Sequence, residues 1–273
     1  MKNYSKYLIY FFALLIIFIL PVFAQDDKIE ISTEGNISSE VISLTKKTFE
    51  YTTAFIKEEC GIEFDGYVKI ILVENNELYK EAQMRENGVD EEEAERRVRT
   101  TSGWSNGTQI IQNIAGLAKN RNKIYNLAHE LVHQYQFQIC GNEANSIMWI
   151  FEGLADAIAI QVVEKSGEST VENYKKDWMK TIKDNGIFPD ISLLHDTESW
   201  YASLDTYKKD ISYRIAAFAI LNLLKTKTYK NLFDYFSDLN ELNYYDSFKK
   251  SFDMIITQYE RKFNSLMIEE TAP

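Results

Sequence analysis

LAHELVHQYQ, residues 127–136, and FEGLADAIA, residues 151–159, are the stretches that decide the fold. The chain has three histidines; two of them, His129 and His133, stand four residues apart with Glu130 directly after the first, the pattern HExxH. Ile124, Leu127, Leu131 and Val132 recur around them at helical spacing, with no proline or glycine between, so the spacing predicts a helix over Asn122–Ile139 that Gly141 ends. Residues four apart on a helix point the same way, so both imidazoles reach one ion, and imidazole nitrogen suits zinc. Glu130 points to one side of the pair. There it is placed to take a proton from water rather than to touch the metal.

Two imidazoles leave room for a third protein ligand. The second stretch reads as a helix from Ile147 to Glu164, and Glu152 brings a carboxylate nineteen positions after His133. Asp156 lies four beyond Glu152, on the same face, where it can accept the outer N–H of a ligating imidazole and fix its tautomer. The expected ligand set is therefore His129, His133 and Glu152 around one zinc, with Asp156 behind them. Three weaker readings are an inert histidine pair, a closed structural site, and a metal-binding relative without activity. No fourth protein ligand is in view to close the site, and Glu130, which a purely binding protein does not need, is intact.

With HExxH followed by a glutamate on the next helix, the sequence resembles the gluzincin zinc metallopeptidases, the thermolysin-like class. Its local wording is most similar to the peptidase-MA-like families. The resemblance is sharp over Leu127–Ile160 and general elsewhere. It implies a zincin-like α+β fold, mostly helical, with a small N-terminal α/β lobe, a helical C-terminal lobe and a zinc cleft between them. It implies peptide-bond hydrolysis with Glu130 as general base. It also implies an oxyanion donor from the C-terminal lobe, for which Tyr213, opening YRIAAFAIL, is the first candidate; Arg214, Tyr207 and His195 are the alternatives. A cleft-edge strand near Trp104 and Ser105 would pair with extended substrate. The Gly-x-Met-Glu-Asn element of related aminopeptidases is not found, so an endopeptidase is expected.

Outward from this centre, the N-terminal part mixes helices and strands. Helices are expected at Ser39–Cys60, Glu77–Arg85 and Asp90–Thr100, and strands at Tyr67–Val73 and around Thr108–Gln112. The acids and bases of Glu91–Arg99, with pairs Glu92/Arg96, Glu93/Arg97 and Glu95/Arg99, read as a solvated helix without chemistry. Later helices are expected at Val171–Asn185, Ile211–Leu224, Tyr229–Leu239 and Tyr245–Met267. No alternating βαβ pattern is apparent. The expected organisation is a signal peptide over residues 1–24, an N-terminal lobe over 25–141 ending in the HExxH helix, and a C-terminal lobe over 142–273.

The signal reading rests on Lys2 and Lys6, the apolar run Leu8–Leu20, Pro21, and small residues allowing cleavage after Ala24. The run is shorter than the ~18 residues of a spanning helix; an uncleaved anchor is the alternative. Secretion is the expected address, with no stable membrane span after cleavage. The net charge is −11, and losing the two signal lysines takes it to −13. With no basic patch, nucleic acid is excluded as a partner. A peptide or protein substrate is expected. Export permits a disulfide between Cys60 and Cys140, and two buried free thiols fit equally well. The expected function is thus a secreted zinc-dependent peptidase. The alternative from another class is a catalytically inactive metallopeptidase-like binding module at the cell surface or outside the cell.

Overall fold

The computed structural model describes residues 28–272. The expected signal peptide, with its cleavage after Ala24, lies outside the described residues. The chain opens with strand β1 (Ile29–Glu34), helix α1 (Ser39–Cys60) and strand β2 (Val68–Val73). Ser38 caps α1 by accepting from the Val41 amide, and Gly61 ends it at φ 71°, where a side chain would be strained. Helices α2 (Asn76–Asn87) and α3 (Glu91–Thr100) follow, then strands β3 (Gly103–Ser105) and β4 (Gln109–Asn113).

These strands form one four-stranded sheet in the order β1-β2-β4-β3. β1, β2 and β4 are parallel, and β3 lies antiparallel on the β4 edge. β2 reads VKIILV because both its faces are covered. Val68, Ile70 and Leu72 enter the main core, while Ile71 and Val73 meet Tyr79 and Ala82 of α2. The β1-α1-β2 crossover is a single βαβ unit, and its first strand, β1, is one that the sequence reading did not pick out. β1, IEISTE, is an edge strand with no fully buried residue, so its hydrophobic signal is weak.

The remainder is helical: α4 (Asn120–Cys140), α5 (Met148–Lys165), α6 (Val171–Asn185), α7 (Thr197–Tyr207), α8 (Lys209–Leu223), α9 (Tyr229–Asp238), α10 (Tyr244–Phe252) and α11 (Ile256–Thr271). The architecture is α+β and mostly helical. Two helical expectations need correction. The single helix over Tyr245–Met267 is two, broken where Asp253 takes φ 54°. α7 is additional: Asp196 caps it, but only Trp200, Ser203 and Leu204 are buried, too few for a clear period. Among the described residues no helix is long and apolar enough to cross a membrane. Cys60 and Cys140 are both buried free thiols rather than a disulfide.

α5 is the centre of the helical part, buried on every side from Met148 to Ile160. It packs against α4 on one side and α8 on the other. The α5–α8 approach is set by a glycine: a Cβ on Gly153 would stand 2.4 Å from the Ala216 carbonyl oxygen. Backbone cannot yield as a side chain does. Gly153→Ala should therefore push α8 away and cost about 1–3 kcal/mol, read as a lower urea midpoint. An unchanged midpoint would show that the helices have slack there.

Candidate metal centre

α4 and α5 pack so that His129, His133 and Glu152 face one another in a buried group able to hold a metal ion. Nε2 of His129 lies 3.0 Å from Nε2 of His133. Oε2 of Glu152 lies 3.1 Å from the first of these nitrogens and 3.5 Å from the second. Neither contact is aligned as a hydrogen bond, so this buried oxygen has no hydrogen-bond partner. A buried carboxylate oxygen without a partner is costly unless a cation satisfies it.

The outer sides of both rings are fixed. His129 Nδ1 pairs with Asp156 Oδ1 at 2.7 Å, where Asp156 was expected. His133 Nδ1 donates to Gln136 Oε1 at 2.7 Å, and Gln136 Nε2 donates to the Phe151 carbonyl at 2.9 Å. Gln136 is a site residue that the sequence reading missed. Its signal was the spacing of three from His133 on the same helix, hidden because an amide was not sought among carboxylates. The His133 ring also stacks on Phe151, centroids 4.0 Å apart. An N–H held outward by an acceptor leaves the other ring nitrogen's lone pair inward, as a ligand requires.

The two glutamates of the centre are driven in opposite directions. Burial works to raise the Glu152 carboxyl, but His133 and His129 outweigh it and hold it down at about 2. Glu130 is raised, because burial outweighs the same histidines. Burial also opposes the charged form of His129, yet Asp156 and Glu152 lift it well above the usual histidine range. Tyr213 is held well above the usual tyrosine range by burial, then by Glu152, Tyr201, Asp156 and Glu130, so its hydroxyl stays a donor.

Glu130 is not one of the three converging residues; its carboxylate makes no hydrogen bond among the described residues and lies over Gly103. A Cβ there would stand 2.6 Å from Glu130 Oε1, so any side chain at this position has to displace the Glu130 carboxylate. Gln134 donates to Ser105 Oγ and to the Gln109 carbonyl, which holds α4 against the sheet edge. Two cavities, of ≈ 290 and ≈ 330 Å³, open on either side, and His129, Glu130, Gly103 and Tyr213 line both. The Tyr213 ring is 6.1 Å from that of His129 and edge-on to Trp200.

The alternatives to Tyr213 fall elsewhere. Arg214 lines one of the two cavities. His195 pairs with the buried Glu260, and neither it nor Tyr207 lines either cavity. The charged run on α3 needs correction. Glu93 takes both Arg96 and Arg97, at 2.6 and 2.8 Å, whereas Glu95 pairs with Lys80. Arg97 lies 3.5 Å over the Trp104 ring and Arg96 lies 4.0 Å over Tyr201. Both arginines line the second cavity, so this end of α3 is a wall of the site rather than a solvated surface. The aromatic rings that hold them were invisible to a pattern confined to one helix.

No protein-family model matches the chain, and no curated protein was found to match it.

With its pKa raised, His129 carries a proton at neutral pH when no metal is bound, and a divalent cation must displace it. Binding at pH 7 should therefore release about one proton per ion, read by calorimetry in buffers of different ionisation heat, and affinity should rise with pH. Asp156→Asn should lower affinity about 10–100-fold and shrink the proton release. Wild-type values for both quantities in that variant would remove Asp156 from the support of the metal.

Proposed function

We propose that this chain is a secreted, single-zinc peptidase of the gluzincin kind, probing peptide or protein substrates with an active site between its α/β and helical parts. One observation carries the reading: two imidazole nitrogens and a buried, partnerless carboxylate oxygen converge, and an unengaged second carboxylate, Glu130, lies beside them. The separations of 3.0, 3.1 and 3.5 Å match the about 3.3 Å between two ligands of a tetrahedral ion with 2.0–2.1 Å bonds. Two nitrogens and one oxygen suit zinc. Zinc held there supplies Lewis acidity, polarising a carbonyl and bringing the pKa of water toward about 7. Export is read from the N-terminal residues, where positive charge, apolar run and small residues follow in order.

The chain's own groups divide the remaining work. Glu130, raised by burial, is suited to take a proton from the attacking water and give it to the leaving amine. The Tyr213 hydroxyl, held protonated, donates a hydrogen bond to the oxygen that gains charge. β3 is the sheet edge nearest the metal group, so an extended substrate can lie along it, over Gly103 and beside Trp104. Both cavities run from this point, giving room on each side of the bond to be cut. That favours an endopeptidase.

Glu130→Gln should keep full zinc content and stability while peptide cleavage falls about 10²–10⁴-fold. Equal cleavage by both proteins would betray a contaminant. No cleavage by zinc-loaded wild type across a diverse peptide library, with a partner still bound, would favour a binding module. Tyr213→Phe should lower kcat about 10²–10³-fold with zinc content unchanged. Normal turnover in that variant would return Tyr213 to a packing role.

A further inference from the structure

The cavity on the α6 and α8 side holds two cations that the proposed hydrolysis leaves unused. Lys209 and Arg214 both reach into it from α8. Arg214 Nη2 donates to Asp210 Oδ2 at 2.9 Å, but its Nη1 is buried with no partner. Lys209 makes no hydrogen bond or ion pair among the described residues, and its Nζ stands 5.9 Å from the Tyr213 ring centroid. Burial lowers its pKa, against the pull of Asp210, Asp156, Glu152 and Glu130. Elsewhere on this acidic chain, lysines such as Lys80, Lys165 and Lys230 pair with carboxylates. Lys209 faces the site without one.

The turn before Lys209 is also unusual. Lys208 takes φ 71° and ψ 139°, a region that side chains rarely adopt, and it starts α8 with Lys209 as the first helical residue. Such a conformation persists only where surrounding structure imposes it, and such residues cluster at functional sites. Across the cavity, Tyr125 stacks on Tyr174 with centroids 5.7 Å apart, and Trp178 packs edge-on to both. The cavity therefore pairs a rigid aromatic wall with an arginine and with a lysine that has no partner among the described residues.

We infer that Lys209 and Arg214 form an anion-reading subsite that takes a carboxylate of the substrate beside the metal centre. The ammonium of Lys209, which has no partner among the described residues, supplies a charged donor to a carboxylate oxygen, and the Arg214 guanidinium adds positive charge to the same cavity. Lys209 lies four residues before Tyr213, about 6 Å along α8. An extended peptide advances about 3.3–3.6 Å per residue. The carboxylate thus falls one or two residues from the bond facing Tyr213. It is either a chain's terminal carboxylate or an acidic side chain. The aromatic wall takes the apolar stem that carries it. This subsite rests on the peptidase reading of the same centre.

The test uses zinc-loaded protein carrying Glu130→Gln, so that binding is read without turnover. The probes are synthetic hexapeptides made as C-terminal acids and as amides, with Glu or Gln at each position, and binding is followed by calorimetry. Peptides with the anion in the right place should bind about tenfold or more tighter than their neutral twins. Whether amidation or Glu→Gln removes the advantage identifies which carboxylate is read. Lys209→Met should bring the acid-to-neutral ratio close to one, Arg214→Gln should reduce it, and Lys209→Arg should keep it. Equal affinity for acid and neutral peptides, or no binding of any acid, overturns the subsite. So does a Lys209→Met variant, folded by circular dichroism, that weakens both forms alike. Cleavage by the protein with Glu130 intact separates the two readings. Acid-selective binding without cleavage leaves the subsite standing and sinks the peptidase, whereas cleavage without acid preference does the reverse.

Discussion

Three electron-pair donors lie within 3.5 Å of one another in a buried interior, and they require a positive charge among them. In the absence of a metal, a proton on His129 meets that requirement; a divalent ion would meet it better, since it could engage all three donors together. Much of the surrounding structure can be read as what it takes to hold those donors in place. Asp156 and Gln136 turn the rings, Phe151 stacks on one of them, and α5 is buried on every side so that Glu152 has no freedom to swing out. The missing side chains at Gly153 and Gly103 let α8 and β3 close in on the same point.

The same residue type takes two roles here because its surroundings differ. Glu152 sits between two imidazoles that hold it ionised; Glu130, one residue from His129, is governed by burial and raised. Environments that push two carboxyl groups apart in this way commonly separate a ligand or stabiliser from a proton carrier. The separation needs no difference in sequence chemistry. It follows from which side of α4 each group faces and from what β3 and α5 place opposite.

The local centre was legible in the sequence because its information is local. His129, Glu130 and His133 occupy one helix, and Glu152 with Asp156 another, so helical spacing alone predicted which side chains share a face. Gln136 lay within the same pattern but carries no charge to draw notice. The sheet was half legible: β2 announces itself by being buried on both faces, while β1 pairs at an edge and keeps its alternating polar residues. α7 and the break at Asp253 depend on caps and a left-handed residue rather than on hydrophobic period. The role of α3 as a wall was not readable at all, because the rings that engage Arg96 and Arg97 come from β3 and α7. Lys209 escaped for the same reason. Its lack of a partner is a property of three-dimensional surroundings.

The two buried thiols have a practical consequence. Burial, more than the acids nearby, pushes both Cys60 and Cys140 up to about 12. A reagent that attacks thiolate therefore finds almost none in the closed protein. Cys140 also donates to the Gln136 carbonyl at 3.4 Å, on the last turn of the helix that carries both imidazoles. Alkylation at Cys140 then has to wait for that turn to unravel, and its speed becomes a clock for local opening, built into the chain without any added label. Cys60, at the end of α1, keeps separate time for that helix.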